Sequence, residues 1–196
     1  MEMTRFEKWW VNRNKKAERN IARIRQRLAE LPSAAIRDAL EVGCGIGSVA
    51  AFLSETYHMQ VFGTDYDQKQ IQIARKQHPE NEHLTYQVED AARLSFQAAS
   101  FDLVISQNVF HHLPKWQTAV LEINRVLRPG GFLFWLDFAV PKWVVRLFQP
   151  LFKKHSLYCI VDVKYIFKKQ GFKQLFYEKR VHGPFFQYHL VWQKVR

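Results

Sequence analysis

The stretch EVGCGIG, Glu41 to Gly47, decides the fold, because it stands where a short apolar strand over 38–42 runs directly into a helical pattern over 47–55. Gly43, Gly45 and Gly47 let the backbone turn tightly and approach a ligand with no Cβ in the way. The helix after the turn presents unpaired N–H groups. Such a turn forms a nucleotide-sized cleft, although on these residues alone it serves NAD or no ligand at all.

Outward from this turn the chain alternates between short β-like runs and helical patterns, which predicts a parallel sheet. Strands are expected over 60–64, 84–89, 101–107 and 131–137, with helices over 68–76 and 117–126. Arg128-Pro129-Gly130-Gly131 reads as a turn. The alternation breaks after Val140 at PKWVVRLFQPLFKKH, and a helix over 162–170 restores it. Closing strands over 173–180 and 186–193, separated by Gly183-Pro184, form an antiparallel hairpin. The expectation is an α/β fold with a seven-stranded, mostly parallel sheet and one antiparallel strand in that hairpin.

The segment before residue 37 reads as an appendage of 1–36 to a domain of 37–196. Ala17, Ile21, Ile24, Leu28 and Leu31 recur at spacings of four and three, giving a helix one apolar face, and Pro32 marks its end. Arg and Lys crowd its other faces. Within the domain, 138–160 is the expected lid or substrate-specificity insertion.

The 196 residues, 47% apolar, suffice for one domain with one core. A net charge of +11 favours anionic partners: a phospholipid surface, a nucleic acid or an acidic metabolite. Cys44 and Cys159 are too few for a disulfide framework and lack structural zinc spacing, so no metal is expected and a reduced, cytoplasmic protein fits. The start, MEMTRFEKWWVNRNKK, lacks the apolar core and cleavage site of a secretory signal. The longest apolar run, Phe132 to Val140, contains Asp137 and falls far short of the ~20 residues of a bilayer-spanning helix.

VFGTDYD places Asp65 twenty positions beyond Gly45, at the carboxyl end of the second strand, where an acid can accept hydrogen bonds from both ribose hydroxyls. Dinucleotide sites space their glycines G-x-G-x-x-G, whereas here the third comes one residue earlier. EVGCGIG, VFGTDYD, QVEDAARLSF, FDLVISQNVFHHL and LRPGGFLFWLDF, in this order, resemble the motif set of class I S-adenosylmethionine-dependent methyltransferases, over roughly 37–137. The likeness is to the small-molecule branch that acts on ubiquinone precursors and similar metabolites. It implies a Rossmann-like three-layer sandwich and S-adenosyl-L-methionine as cofactor.

The resemblance implies that Glu41 and the glycines face the methionine part of the cofactor, the carboxylate engaging its ammonium group directly or through water. Asp65 then holds the ribose and Tyr66 packs near the adenine. Asp90 accepts from the adenine amino group and the Ala91 N–H reaches a ring nitrogen. Gln107 and Asn108 end the fourth strand at the edge where open α/β sheets bind ligands. Cys44 belongs to the same loop, and a small buried thiol without a chemical role explains it too. Asp90 would serve equally as a helix cap.

Methyl transfer needs an acceptor held in line with the S–CH₃ bond and shielded from water, and a base where the acceptor is a phenol or acidic carbon. His111, His112 and Asp137 are the candidates. Against this stands the reading that one histidine packs beneath the segment after Pro114, the other is a surface residue, and Asp137 caps the next segment. A helix over 142–152 gathers Trp143, Val144, Leu147, Phe148, Leu151 and Phe152 on one side. That face is a lid, a membrane-surface helix or plain core packing on the sheet, with Pro150 bending or ending it. Phe6, Trp9 and Trp10 add aromatic surface to a basic rim suited to a lipophilic acceptor drawn from an anionic bilayer, which expects peripheral contact at the inner membrane surface. Nucleic-acid methylation is the rival reading, disfavoured because SQNVFHHL lacks the Asn/Asp-Pro-Pro-aromatic run typical of enzymes that methylate base nitrogens. A non-catalytic binding module is the other.

Overall fold

The computed structural model describes residues 14–32, 36–148, 156–182 and 185–195. Its elements are α1 (Asn14–Leu28), β1 (Asp38–Val42), α2 (Ser48–Tyr57), β2 (Gln60–Asp65), α3 (Gln68–Gln77), β3 (Leu84–Val88), β4 (Phe101–Gln107), a 3₁₀ turn (Phe110–His112), α4 (Trp116–Val126), β5 (Leu127–Ala139), α5 (Lys142–Phe148), α6 (Ile160–Lys169), β6 (Phe172–His182) and β7 (Phe185–Lys194). The seven strands form one sheet in the order β3-β2-β1-β4-β5-β7-β6. The first five run parallel, and β7 runs antiparallel to both β5 and β6. This is the expected α/β sheet, with β7 as the reversed strand.

The central strands are apolar on both faces, so the sheet needs a helical layer on each side. Leu40, Val42, Val104 and Trp135 meet α4 and α6 through Ala119, Ile123, Val163 and Phe167. On the other face Ala39, Val61, Leu103 and Phe134 meet α2 and α3 through Ala50, Leu53, Ile71 and Ala74. Ile24 and Leu28 of α1, both fully buried, join that second cluster, so α1 is part of the layer that covers β5, β6 and β7. The chain leaves β1 toward β2 and β3, then returns to β4 on the other side of β1. That reversal falls between β1 and β4, whose carboxyl ends mark the place where open α/β sheets bind ligands.

Two expectations need correction. The Arg128–Gly131 turn lies inside β5, where Phe101 pairs with Leu127 and Leu103 next pairs with Phe132, so the extra residues bulge out of the ladder. Arg128 anchors the bulge, donating from Nη1 to Asp38 Oδ2 at 2.7 Å and Asp102 Oδ1 at 2.8 Å. Plain core packing of the 142–152 face fails over the described part: α5 has no buried residue, and Trp143 and Leu147 are 66% and 63% exposed. The rest of that segment, Phe6, Trp9, Trp10 and the Gly183-Pro184 turn lie outside the described residues. The strands that flank that turn pair as a hairpin as far as His182 and Phe185.

Candidate active site

The glycine turn is built by hydrogen bonds between the exits of β1 and β2. Gly43 and Cys44 N–H groups both donate to Thr64 O, at 2.7 and 2.8 Å, and the Thr64 hydroxyl donates to Glu41 O at 2.9 Å. Gly45 N–H donates to Asp65 Oδ2 at 2.9 Å, while Asp65 Oδ1 accepts from Asp67 N–H at 2.9 Å. Asp65 therefore fixes the loop that carries the glycines. Gly43 and Gly47 have φ of 74° and 81°, and a Cβ at either would overlap a neighbour, Val109 at the first and the Tyr86 ring at the second. Both reasons for glycine, left-handed backbone and close approach, hold together.

Glu41 closes the floor of this turn. It is 3% exposed, and its Oε2 has no hydrogen-bond partner among the described residues. Burial pushes its pKa well above the usual carboxylate range, against the lowering effect of the Ala50 backbone N–H, and the charge of Asp65 raises it further. A buried acceptor left without a donor costs stability, which a cationic ligand would restore.

Asp65 and Glu89 are tied by a Glu89 N–H to Asp65 O bond of 3.1 Å, which brings the segment after β3 beside the end of β2. Asp90 Oδ1 accepts from Ala92 N–H at 2.8 Å and closes a turn; no helix begins there, so it is not a helix cap. Tyr66 is exposed and Ala91 buried, both at this edge. Cys44 is buried, and its thiol pKa is raised well above normal, by burial and then by the charges of Glu41 and Asp65. The thiol is therefore protonated and inert. Gln107 is half-buried at the end of β4, and Asn108, at φ 57°, donates its N–H to Leu136 O at 2.7 Å while its buried Oδ1 lacks a partner among the described residues.

On the β4–β5 side, Asp137 is fully buried in β5. Its Oδ2 accepts from Phe110 N–H at 2.7 Å and its Oδ1 lies 2.5 Å from His111 Nδ1. A carboxylate can only accept, so Nδ1 carries the proton and Nε2 is left as the basic nitrogen. The His112 ring lies 4.0 Å from that of His111, tilted by 43°. The Tyr158 hydroxyl is buried; burial, then the nearby Asp137 charge, raises its pKa well above normal. Ser156 N–H donates to His111 O at 3.0 Å, so the stretch leading into α6 lies against the histidine turn.

Residues 40–135 match a family described as a methyltransferase domain. These residues form a methyltransferase domain of that family. A 98-residue stretch of this chain is 36% identical to 2-methyl-6-phytyl-1,4-hydroquinone methyltransferase of Synechocystis, covering 50% of this chain and 31% of that one. Another, of 102 residues, is 35% identical to phthiotriol/phenolphthiotriol dimycocerosates methyltransferase of Mycobacterium tuberculosis, covering 52% and 37%. The matched part thus spans about a third of these relatives' length. Among solved structures, a SAM-dependent methyltransferase of Methanosarcina mazei superposes with a TM-score of 0.68 at 19% identity, covering 81% of this chain and 92% of that one.

The methyltransferase fold brings the predicted residues to one edge of the sheet in two groups: Glu41, the glycines, Asp65, Tyr66, Asp90 and Ala91 around β1–β3, and His111, His112 and Asp137 at β4–β5. Gln107 and Asn108 stand between the groups. Sequence reasoning missed Tyr86 and Val109, which wall the glycine turn, and Tyr158 beside Asp137. Tyr86 donates its hydroxyl to Gly47 O at 3.2 Å. Its place in β3, two strands from the glycines, gave no local signal.

Proposed function

We propose that this chain binds S-adenosylmethionine at the β1–β3 edge and transfers its methyl group to a small lipophilic acceptor held over β4 and β5. One observation carries the reading: the buried Glu41 carboxyl, whose Oε2 has no hydrogen-bond partner among the described residues, at the entry to a glycine turn that Asp65 fixes. These residues fit the cofactor, with Glu41 suited to its ammonium group, Asp65 to the ribose hydroxyls, Tyr66 to the adenine face, and Asp90 and Ala91 to the adenine edge. Gly43, Gly45, Cys44 and Gly47 supply the close-lying backbone, and Gln107 and Asn108 the wall toward the acceptor. When bound, the cofactor supplies a methyl group on a sulfonium that leaves readily.

The chain's own part is to position the acceptor, keep water out and manage its proton. His111 Nε2 is the base, taking the proton of an acceptor hydroxyl. Asp137 holds the ring by Nδ1 and stabilises the imidazolium that forms, as buried carboxylates do for catalytic histidines. His112 packs against His111 and lines the same wall. The relatives named for a phytyl hydroquinone and for phthiotriol dimycocerosates support a lipophilic acceptor.

Such an acceptor is delivered from a membrane surface. No helix among the described residues is long and apolar enough to cross a bilayer. The exposed Trp143, Leu147 and Phe148 of α5, just past the β5 exit, suit shallow insertion, and the +11 charge suits anionic lipid. Calorimetry with S-adenosylmethionine tests the core reading: saturable one-to-one heat is expected, and folded protein without heat would overturn it. Cosedimentation should favour anionic over neutral vesicles, and equal or absent binding would remove the membrane part.

A further inference from the structure

A set of cationic side chains stands on the α1 face of the sheet, outside the cofactor and acceptor sites. Arg23 of α1 reaches the β7 residue Gln187, with Nη1 3.5 Å from Oε1. Gln187 pairs with Phe138 on one side and Arg180 on the other, so these three side chains share one face of the sheet. Phe138 is the neighbour of Asp137 in β5, and its ring centroid lies 5.9 Å from that of His111. The arginine set is thus joined to the histidine of the acceptor site through one aromatic ring, at the same edge of the sheet.

Among the described residues the charges here are unbalanced. Glu178 is held by Arg180, which donates from Nε at 2.8 Å and approaches with Nη2 at 2.7 Å. Arg27 is paired with Glu30 at 2.7 Å and lies over the Phe176 ring. Arg23, half-buried, has its single side-chain hydrogen bond among the described residues to the long Gln187 contact. Burial, then repulsion by Arg180, lowers its pKa, with Arg19 adding to the repulsion and Glu178 opposing it. His189, beneath it on β7, is buried and neutral, so it adds no charge at neutral pH. An arginine placed among like charges with donors in reserve is suited to an oxyanion, which it can grip through two parallel N–H groups.

We propose that Arg23, assisted by Arg180, binds the anionic head of the methyl acceptor, so that the acceptor is an amphiphile carrying a carboxylate or phosphate beside its lipophilic body. This rests on the methyltransferase reading for the word acceptor, while the anion site itself stands on the arginine geometry. The head group engages Arg23 over Gln187, and the apolar body passes Phe138 toward His111. Phosphate and carboxylate share the required chemistry, and the site accepts either.

The test is equilibrium binding of dodecyl phosphate, dodecanoate, dodecanol and inorganic phosphate, all below micelle-forming concentrations, to the full chain with and without S-adenosylhomocysteine. At least one anionic amphiphile should bind about tenfold or more tighter than dodecanol, and the tighter of the two names the head group. Arg23→Gln should remove that preference and Arg180→Gln weaken it, while Arg25→Gln, which alters a side chain over Phe52 on another face of α1, should leave it intact. Raising salt from 50 to 300 mM should weaken the anionic ligands alone, a readout that needs no variant. Equal binding of dodecanol, an unchanged preference in Arg23→Gln, or inorganic phosphate binding with no gain from the alkyl chain would overturn the proposal. S-adenosylhomocysteine binding in the same cell reports the methyltransferase reading separately, because Arg23 does not line the glycine turn.

Discussion

Asp137 Oδ1 lies 2.5 Å from His111 Nδ1, across a gap between the end of β5 and the 3₁₀ turn after β4. The same carboxylate holds Phe110 N–H, so one buried acid sets both the backbone of that turn and the orientation of its imidazole. Asp137→Asn keeps an oxygen for Phe110 but puts an amide N–H against Nδ1. The ring must then carry its proton on Nε2 and ceases to be a base. Methyl transfer to a hydroxyl acceptor should fall by about 10²-fold or more, with S-adenosylmethionine affinity within about twofold of wild type. His111→Gln should match it, and the double variant should be no worse than either. Single-turnover transfer and cofactor calorimetry give the two numbers, and full activity in Asp137→Asn would remove the base from the mechanism.

Glu41 should couple S-adenosylmethionine binding to the release of a proton. Its folded pKa is raised above the unfolded value, so the folded carboxyl keeps its proton at pH values where the unfolded one has lost it. Stability is therefore lost as pH rises from the ordinary carboxylate range toward the folded pKa. Glu41→Gln removes this loss and should flatten the alkaline side of the stability profile of the ligand-free protein. An ammonium ligand favours the ionised form, so binding should release protons, seen as a dependence of calorimetric heat on buffer ionisation enthalpy. Glu41→Gln should abolish that dependence and weaken S-adenosylmethionine about tenfold or more, the loss of one charge-assisted bond of ~1.5–3 kcal/mol.

What the sequence disclosed was local. The β1–α2 turn was readable because three glycines and an apolar strand adjoin in the chain, and Asp65 because a fixed twenty-residue spacing puts it at the next strand's end. Expected strands matched to within a residue or two wherever an apolar run stood alone, as over 101–107. Arg128–Gly131 misled because Pro and Gly mark a turn and a β-bulge alike, and the two carboxylates that anchor Arg128 come from β1 and the start of β4. The exposure of Trp143 and Leu147 was hidden for a related reason: an amphipathic pattern states that a face is apolar, and only the tertiary structure shows whether anything covers it. The Asp137–His111 contact spans two elements, so the residues could be named separately but not joined.

Gly47 tests the turn itself. Its φ of 81° disfavours any side chain, and an added Cβ would enter the Tyr86 ring, which is fully buried and cannot withdraw cheaply. Gly47→Ala should destabilise the protein by about 1–3 kcal/mol and abolish detectable cofactor binding. Tyr86→Phe, which keeps the ring and loses only the hydroxyl bond to Gly47 O, should cost about 1 kcal/mol and leave binding measurable. Pairing Gly47→Ala with Tyr86→Leu should recover part of the stability, since the clash partner is smaller. Thermal melts with and without S-adenosylhomocysteine decide the case, and no recovery in the pair would place the strain in the backbone alone.

His189 contributes to the acid side of the stability profile. It is buried on β7 against the Phe176 ring, and the charged groups that face it are Arg23 and Arg27 from α1 and Glu178 and Arg180 from β6. Burial first, then the three arginines, lowers its pKa from 6.5 to about 4, with Glu178 opposing. Between those values the unfolded state binds a proton that the folded state refuses, so stability rises with pH across this window. As pH falls from about 6.5 toward about 4 the folded state loses up to roughly 3 kcal/mol through this one ring. Urea titrations of wild type should show the decline, and His189→Leu, which cannot take up a proton in either state, should show a smaller one. The difference between the two proteins isolates the histidine from the carboxylates that titrate in the same range. Parallel profiles from pH 7 to 4.5 would mean that His189 is protonated as readily inside the fold as outside, and that Glu178 rather than the arginines governs it.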